Sequence, residues 1–399
     1  MSTVNRFNRF RKGKRRETNS RLDYPADIRP IRGFRPGVAQ HVAGLKPYDA
    51  VSSRDDMKRH PEELVCYKLD WNEATVPPSP RVHATISSFL MEQNHLNWYP
   101  TLGSPELKDR LSRFVGRPTE EILVTNGSDD ALKLICDTFL DSGDHVLAPS
   151  PTYTHTLLFA RTRGADVELP EYDNPFVGDL NRLLAGVRPD TKMVYLVNPN
   201  NPTGVTYSRA ELNRLLDFTR HCIVLIDEAY VEFESESVVD LLDQHDHLVI
   251  TRTFSKFFGL AGVRVGYAMA NPSLIRDLSR IYNPKSVNVL GQIGAIAALD
   301  DPDYYENFRL QVRSAKELMG AWCKRRGIEY QSTPANYFLM RFDDAQAMSR
   351  ALADEGVYVR DRSCFTQLDG FLRFTVGTPE QMSDVLDRVE CCRKVLGQA

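Results

Sequence analysis

The sequence predicts an α/β fold: a large domain with a mostly parallel mixed sheet flanked by helices, followed by a smaller α+β C-terminal domain. From residue 81 onward, short apolar runs alternate with segments whose apolar residues recur at helical spacing. Strands that alternate with helices favour a parallel sheet, because each parallel strand needs a crossover connection. After Pro302 a long helical segment precedes closely spaced strands, which indicates the smaller domain.

The large domain is assigned to residues 81–302. Its expected helices cover 81–92, 104–114, 129–140, 154–162 and 208–220, and its expected strands cover 122–125, 145–148, 166–169, 193–197, 223–226, 248–251 and 265–270. In the C-terminal domain, residues 303–399, we expect helices over 304–326, 345–355 and 379–395 and strands over 336–342, 357–360 and 371–376. Residues 36–80 are expected to join the small domain, and residues 1–35 to form a disordered basic tail.

The composition is typical of a soluble globular protein, with 42% hydrophobic and 26% charged residues among 399. No apolar run is long enough to cross a bilayer and no signal-peptide pattern is visible, so neither a membrane anchor nor secretion is expected. The seven cysteines are scattered without metal-ligand spacing. They indicate free thiols in a reducing compartment, and therefore a cytoplasmic location without a metal site.

The first 21 residues are strongly basic, although the whole chain has a net charge of −3. They contain eight Lys or Arg residues and one acid, which gives this segment a charge of about +7. Such a composition is typical of a solvated, disordered tail. Contact with nucleic acid or an anionic surface, and a transit peptide, stay open as alternatives.

Three predicted strands end in side chains that could act together. Asn201 follows one strand, Asp227 and Tyr230 end a second, and Lys256 follows a third. Ligands of open α/β sheets bind at the carboxyl ends of the strands. The set suits pyridoxal 5′-phosphate (PLP), which a lysine holds as a Schiff base while an aspartate pairs with the pyridinium nitrogen. The sequence therefore predicts a PLP enzyme.

Each of these residues also has a purely structural interpretation. Lys256 could be a surface lysine, but the Phe- and Gly-rich stretch after it is too apolar for an ordinary exposed loop. Asp227 could cap the next segment, although an ionised acid at the end of a buried strand is costly unless a cation pairs with it. Tyr230 could be a packing residue of the core, and Asn201 could simply be one of the residues that form its turn. In the PLP interpretation, both would hydrogen-bond the ring oxygen.

A second group of residues is predicted to hold the cofactor phosphate. Ser128 and Asp129 lie where a strand passes into a helix, and N–H groups at a helix start bind anions. The same residues could be simple N-caps. Ser255 and Arg264 would complete the phosphate site. Tyr153 is a candidate to stack on the pyridine ring, but a single tyrosine is more often a packing residue.

Together these motifs resemble the fold-type I, class I/II PLP-dependent aminotransferases over residues 42–395. Within that group the chain looks most like the histidinol-phosphate aminotransferase family. This closer resemblance depends on the segments 45–48, 69–73 and 98–100 and on two C-terminal arginines, Arg360 and Arg373. Two departures, Phe257 after the lysine and Trp71 beside Asn72, could reshape the substrate pocket.

The resemblance implies further roles. Lys256 would shuttle the proton between the substrate Cα and C4′ of the cofactor. Tyr99 would reach the cofactor phosphate of the other subunit, which implies a homodimer with shared active sites. Arg373 would fork onto the anionic group of the substrate, because a guanidinium fits a carboxylate or a phosphate. The substrate site would thus contain Tyr48, Asn72, Arg360 and Arg373.

The function expected from these residues is a PLP-dependent aminotransferase with a ping-pong cycle. It would transfer an amino group between histidinol phosphate, or a related amino acid, and a 2-oxo acid such as 2-oxoglutarate. A PLP-dependent lyase, such as an amino-acid phosphate decarboxylase, would use the same cofactor residues and stays open. A DNA-binding regulator is disfavoured, because the tail of roughly 35 residues is too short for a helix-turn-helix domain.

Overall fold

A computed structural model describes residues 37–46, 53–93 and 95–397. The predictions for the basic tail and for Tyr48 fall outside these residues. Within them, the strands are β1 (Tyr67–Lys68), β2 (Ile122–Thr125), β3 (His145–Leu147), β4 (Asp166–Glu168), β5 (Thr191–Val197), β6 (Ile223–Asp227), β7 (Leu248–Thr253), β8 (Gly266–Ala270), β9 (Tyr330–Ser332), β10 (Tyr337–Arg341), β11 (Val357–Tyr358), β12 (Arg360–Asp361) and β13 (Phe371–Thr375).

The helices cover these strands on both sides. They are α1 (Pro80–Ser88), α2 (Pro105–Val115), α3 (Ser128–Phe139), α4 (Thr154–Thr162), α5 (Leu180–Ala185), α6 (Arg209–Phe218), α7 (Val231–Glu234), α8 (Pro272–Leu278), α9 (Val289–Leu299), α10 (Pro302–Arg326), α11 (Ala345–Asp354) and α12 (Pro379–Val395). None of the helices in the described part of the chain combines the length and the apolar composition needed to cross a membrane.

The central sheet has seven strands in the order β2-β8-β7-β6-β5-β3-β4. Only β8 runs antiparallel to its neighbours, β2 and β7, so the sheet is mixed and mostly parallel. A separate antiparallel sheet, β12-β13-β10-β9, forms in the C-terminal part. The predicted fold class is therefore confirmed.

The central sheet is buried on both faces. Because successive strand residues point to opposite sides, the residues of one strand belong to two different core clusters. On β5, Val194 and Leu196 belong to one core cluster, whereas Met193, Tyr195 and Val197 belong to the other. Strands with two buried faces read as continuous apolar runs, which is why the sequence located them well.

The stretch predicted as one strand over 357–360 is in fact two strands in different sheets. β11 pairs in parallel with β1, whereas β12 pairs with β13. The pairing of β1 with β11 brings residues 67–68 beside the C-terminal part of the chain. The domain boundaries at residues 80 and 302 stay a prediction.

Candidate active site

The strand ends predicted to act together do meet in space. β5, β6 and β7 are neighbouring parallel strands, and Val197, Asp227 and Thr251 lie side by side in the register. The carboxyl ends of the three strands are therefore level. The segments that follow them carry Asn201, Tyr230 and Lys256 to one edge of the sheet, where α/β proteins bind ligands.

Lys256 lies in the segment that leaves β7. Its Nζ donates a hydrogen bond of 2.7 Å to the carbonyl oxygen of Trp71. Burial, followed by the positive charge of Arg373, lowers the pKa of Lys256 to about 8. Roughly a tenth of this amine is therefore uncharged at pH 7, far more than at its ordinary pKa, and an uncharged amine is the nucleophile that Schiff-base chemistry requires.

Asp227 is a buried acid without an ion-pair partner in the described residues; only 3% of its surface is exposed. Its Oδ1 accepts a hydrogen bond of 3.1 Å from Thr251 Oγ1. Burial raises the pKa of Asp227 to about 7 despite this hydrogen bond, because the ionised form lacks a compensating charge. A protonated pyridine nitrogen would supply that charge, so this position fits PLP.

Tyr230 and Asn201 belong to one hydrogen-bond network. The Tyr230 hydroxyl accepts from Asn72 Nδ2 at 3.1 Å and from Asn201 Nδ2 at 3.3 Å. Arg373 in turn donates from Nη1 to Asn201 Oδ1 at 2.7 Å and from Nη2 to the carbonyl of Asp70 at 2.6 Å. The cofactor residues and the substrate arginine proposed from the sequence are thus in direct contact through Asn201.

Ser128 starts helix α3, and Arg264 closes over this helix start. Arg264 Nη1 donates to Ser255 Oγ at 3.3 Å. Gly127, just before α3, has φ +84°, and an added Cβ would collide with Arg264 Nη2. A helix start with free N–H groups, a hydroxyl and a guanidinium form a cradle for a phosphate. The residues predicted for the PLP phosphate are therefore assembled in a suitable arrangement.

Asp129 and Tyr153 contact each other. Tyr153 donates from its hydroxyl to Asp129 Oδ1 at 2.9 Å, and Arg264 Nη2 lies 3.6 Å from Asp129 Oδ2. Burial opposes ionisation, but hydrogen bonds from His155 and Tyr153 lower the pKa of Asp129. A carboxylate repels phosphate, so Asp129 can serve the cradle through its backbone N–H and by orienting Arg264. Tyr153 lies beside this network, and its stacking role stays a prediction.

Two other predicted residues lie differently. Tyr99 is 79% exposed, and its ring contacts the Lys285 ammonium at 5.0 Å instead of the site residues described above. Arg360 lies opposite Arg373 in the register of β12 and β13.

The sequence reasoning did not find Thr251 or the Trp71 carbonyl as parts of this region. Thr251 could have been found, because it ends the predicted strand that lies next to the strand ending at Asp227, and the two strands pair in parallel. The Trp71 carbonyl lies 185 residues from Lys256 in the chain, and no local pattern predicts such a contact.

An α/β sheet with a lysine of lowered pKa, an uncompensated buried aspartate and a phosphate cradle at its carboxyl edge defines a PLP-type site. Residues 65–389 match the model of the family "Aminotransferase class I and II". The chain therefore belongs to this family, and it is a PLP-dependent aminotransferase, as the sequence predicted.

Curated relatives are similar over most of their length. The dihydroxyacetone phosphate transaminase of Campylobacter jejuni is 36% identical over 331 residues, which are 81% of this chain and 89% of that protein. The histidinol-phosphate aminotransferase of Ruminiclostridium cellulolyticum is 32% identical over 327 residues, 81% of this chain and 91% of that protein. These similarities confirm the resemblance to histidinol-phosphate aminotransferases.

Solved structures share the fold. The histidinol-phosphate aminotransferase of Sinorhizobium meliloti, solved with pyridoxal 5′-phosphate, has a TM-score of 0.79 at 22% identity, covering 91% of this chain and 99% of that one. The L-threonine-O-3-phosphate decarboxylase of Porphyromonas gingivalis has a TM-score of 0.69 at 23% identity, covering 81% and 98%. At these identities the likeness supports the fold alone.

Proposed function

We propose that this aminotransferase acts on a small amino compound that carries a phosphate, with histidinol phosphate as the leading donor and 2-oxoglutarate as the acceptor. The observation that carries the proposal is the position of Arg373. This buried guanidinium is held by Asn201 and the Asp70 carbonyl beside Tyr230, and its charge lowers the pKa of Lys256. An anion bound there would present the rest of its molecule to the amine.

The substrates of the curated relatives support a phosphorylated substrate. Dihydroxyacetone phosphate and histidinol phosphate differ in their carbon skeletons but share a phosphate monoester. A pocket with a buried arginine suits this common group, because guanidinium binds phosphate through two parallel hydrogen bonds.

Each residue has a defined task in this proposal. PLP, when bound, acts as an electron sink for the bonds at the substrate Cα. Lys256 Nζ would take the proton from the substrate Cα and would carry it toward C4′ of the bound cofactor. Asp227 would keep the ring nitrogen protonated, and Tyr230 and Asn201 would bind the ring oxygen.

The phosphate cradle and the substrate pocket complete the proposed site. Ser128, Ser255 and Arg264 would hold the cofactor phosphate together with the Asp129 N–H, and Tyr153 would lie against the ring. Arg373 would bind the substrate anion, with Arg360, Asn72 and Tyr48 beside it.

A second candidate is a PLP-dependent lyase that removes carbon dioxide from a phosphorylated amino acid. The similarity in fold to a threonine-phosphate decarboxylase favours keeping it. The two reactions need the same cofactor residues and differ in which bond of Cα stands perpendicular to the ring.

We also propose a homodimer in the cytoplasm. The exposed aromatic ring of Tyr99 would reach the cofactor phosphate of the partner subunit. The cytoplasmic location is supported by the cysteines, because all seven are free thiols.

A half-reaction without acceptor tests the proposed function. Holoenzyme would be mixed with L-histidinol phosphate, with serinol phosphate, which is the amine of dihydroxyacetone phosphate, with O-phospho-L-threonine, and with L-glutamate. We expect the phosphorylated amines to convert the cofactor absorbance to that of the pyridoxamine form faster than their dephosphorylated counterparts do. Release of carbon dioxide without this conversion would instead support the lyase, and equal rates with and without the phosphate would contradict a phosphorylated substrate.

A further inference from the structure

A histidine with no role in the proposed chemistry lies beside the phosphate cradle. His155 is in the first turn of α4, and its Nδ1 lies 3.6 Å from Oδ1 of Asp129, which is in the first turn of α3. The two helices pack against each other. Because an ionised carboxylate can only accept hydrogen bonds, the imidazole has to present an N–H group to Asp129.

The imidazole ring of His155 packs against two aromatic neighbours. Its centre lies 4.4 Å from that of the Phe159 ring, four residues further along α4. It lies 6.2 Å from the centre of the Tyr153 ring, which stands nearly perpendicular to it. Residues four apart lie on one face of a helix, so Phe159 supports the imidazole from its own helix. These contacts restrict the ring and keep Nδ1 beside Asp129.

Asp129 is an acid in a site that is proposed to hold a phosphate. Burial opposes the ionisation of Asp129, but its contacts with His155 and Tyr153 outweigh burial and lower the pKa of this carboxyl, so it is ionised at neutral pH. Its Oδ2 lies 3.6 Å from Arg264 Nη2. A carboxylate in this position repels a phosphate and competes with it for the guanidinium of Arg264.

The negative charge of Asp129 extends to the reacting groups of the site. Burial raises the pKa of Asp227, and the charge of Asp129 raises it further. Burial and the charge of Arg373 lower the pKa of Lys256, and the charge of Asp129 opposes them. A contact that offsets this charge therefore favours an incoming anion over a wide part of the site.

The two oxygens of Asp129 have different partners. Oδ1 accepts from the Tyr153 hydroxyl at 2.9 Å and faces His155, whereas Oδ2 faces Arg264. A tyrosine hydroxyl is neutral, but an imidazole can also carry a positive charge. His155 thus offsets the charge of the carboxylate from the side that does not engage Arg264.

We propose that His155 is a positioning residue: it holds the Asp129 carboxylate and offsets its charge, so that Arg264 stays available for the cofactor phosphate. This inference rests on the cradle proposed above. It makes a selective prediction, because removal of the imidazole should weaken ligands that carry the phosphate and spare those that lack it.

Two forms of the cofactor test this selectivity without turnover. Pyridoxamine 5′-phosphate and pyridoxamine are both amines, so neither forms a Schiff base with Lys256, and they differ only in the phosphate. Their Kd values for the apoprotein would be measured by calorimetry. We expect His155→Ala to raise the Kd of pyridoxamine 5′-phosphate about fivefold or more, because the charge of Asp129 is then less compensated. The Kd of pyridoxamine should change by less than about twofold, because it has no phosphate to be repelled.

A double-mutant cycle shows whether His155 acts through Asp129. Asp129→Asn removes the charge and keeps the backbone N–H, so His155→Ala should have no further effect on either Kd in that background. His155→Asn should restore most of the affinity for pyridoxamine 5′-phosphate, because its amide keeps an N–H donor near the position of Nδ1.

Two controls accompany these variants. His221→Ala is the matched control, because His221 is an exposed histidine whose Nε2 contacts the Arg188 carbonyl at 3.1 Å. It should leave both Kd values unchanged. The melting temperature of each variant identifies any that do not fold.

The outcomes separate this inference from the proposed cradle. If His155→Ala leaves both Kd values unchanged, weakens both ligands equally, or acts as strongly in the Asp129→Asn background, the assignment of His155 is wrong. The cradle can still stand in each of these cases. If Arg264→Gln does not weaken pyridoxamine 5′-phosphate, the cradle itself is wrong, and the inference about His155 is wrong with it.

Discussion

The free-energy cost of ionising Asp227 in the folded protein depends on whether the cofactor is bound. A carboxylate that ends a buried strand has lost its hydration, and Thr251 supplies a single hydroxyl in return. Its pKa of about 7, against an ordinary value of 3.8, expresses this imbalance. An ion pair between Asp227 and a positively charged ring nitrogen would therefore stabilise the site.

The first prediction concerns the pH dependence of stability without cofactor. Because the pKa of Asp227 is higher in the folded than in the unfolded state, the folded apoprotein binds the proton more tightly. The contribution of Asp227 to stability is thus present near pH 4 and is lost as the pH rises through 7. We would measure urea unfolding of the wild-type apoprotein and of Asp227→Asn between pH 5 and 8. The unfolding free energy of the wild type should fall relative to that of Asp227→Asn as the pH increases. A difference that is flat with pH would mean that Asp227 ionises normally.

At the scale of elements, the phosphate cradle depends on the close approach of β8 to the start of α3. Gly266 begins β8, and an added Cβ would collide with the backbone nitrogen of Ser128 and the carbonyl carbon of Gly127. Both obstacles are backbone atoms, which cannot rotate away as a side chain can. The absence of a side chain at Gly266 is therefore what lets the helix start reach the strand that follows Arg264.

We predict that Gly266→Ala weakens PLP binding. The extra carbon must push the start of α3 away from β8, which moves the N–H groups that would hold the phosphate and costs about 1–3 kcal/mol of stability. Gly262→Ala is the control, because an added Cβ there has open space. The Kd for PLP, followed by cofactor absorbance, should rise for Gly266→Ala only; an unchanged Kd would show that the cradle tolerates the shift.

The elements also show what the sequence could and could not predict. Asn201, Asp227 and Lys256 were found because each follows an apolar strand, and parallel strands bring their ends together. Helix α9 was missed because it is apolar nearly all round and has little amphipathic period. Contacts such as that of Lys256 with Trp71 join distant segments, and the position of Arg360 opposite Arg373 follows from the pairing of β12 with β13, whereas the sequence had merged β12 with β11.

On the scale of the whole molecule, the two main sheets are tied together around the site. Arg373 and Tyr337, from the antiparallel sheet, contact the turn that carries Asn200 and Asn201. Farther away, the buried Lys316 of α10 pairs with Glu234 and donates to the Thr333 carbonyl at 2.7 Å. If the substrate binds Arg373 as proposed, its binding will act directly on the contact between the two sheets.

The segment around Tyr99 exposes several large apolar side chains to solvent in the single chain. Large apolar side chains are exposed along it, with Met91 exposed at 85% and Tyr99 at 79%, and Leu96, Trp98 and Leu102 exposed as well. Several such side chains in one short segment mark an interaction surface, because water-exposed apolar area of this kind is usually buried by a partner. The homodimer proposed above would cover this surface with a second copy of the chain and would bring Tyr99 to the other site.

The last prediction tests this shared site by mixing two inactive variants. Lys256→Ala lacks the amine, and Tyr99→Ala is expected to hold the cofactor poorly. In a mixed symmetric dimer, one site would combine an intact Lys256 with an intact Tyr99 from the other chain, so mixing after mild unfolding and refolding should restore activity to roughly a quarter of the wild-type value. Sedimentation should show dimers for both variants. If the mixture is no more active than its components although dimers form, Tyr99 acts within its own chain or not at all. If both variants sediment as monomers, the exposed segment binds something other than a second copy.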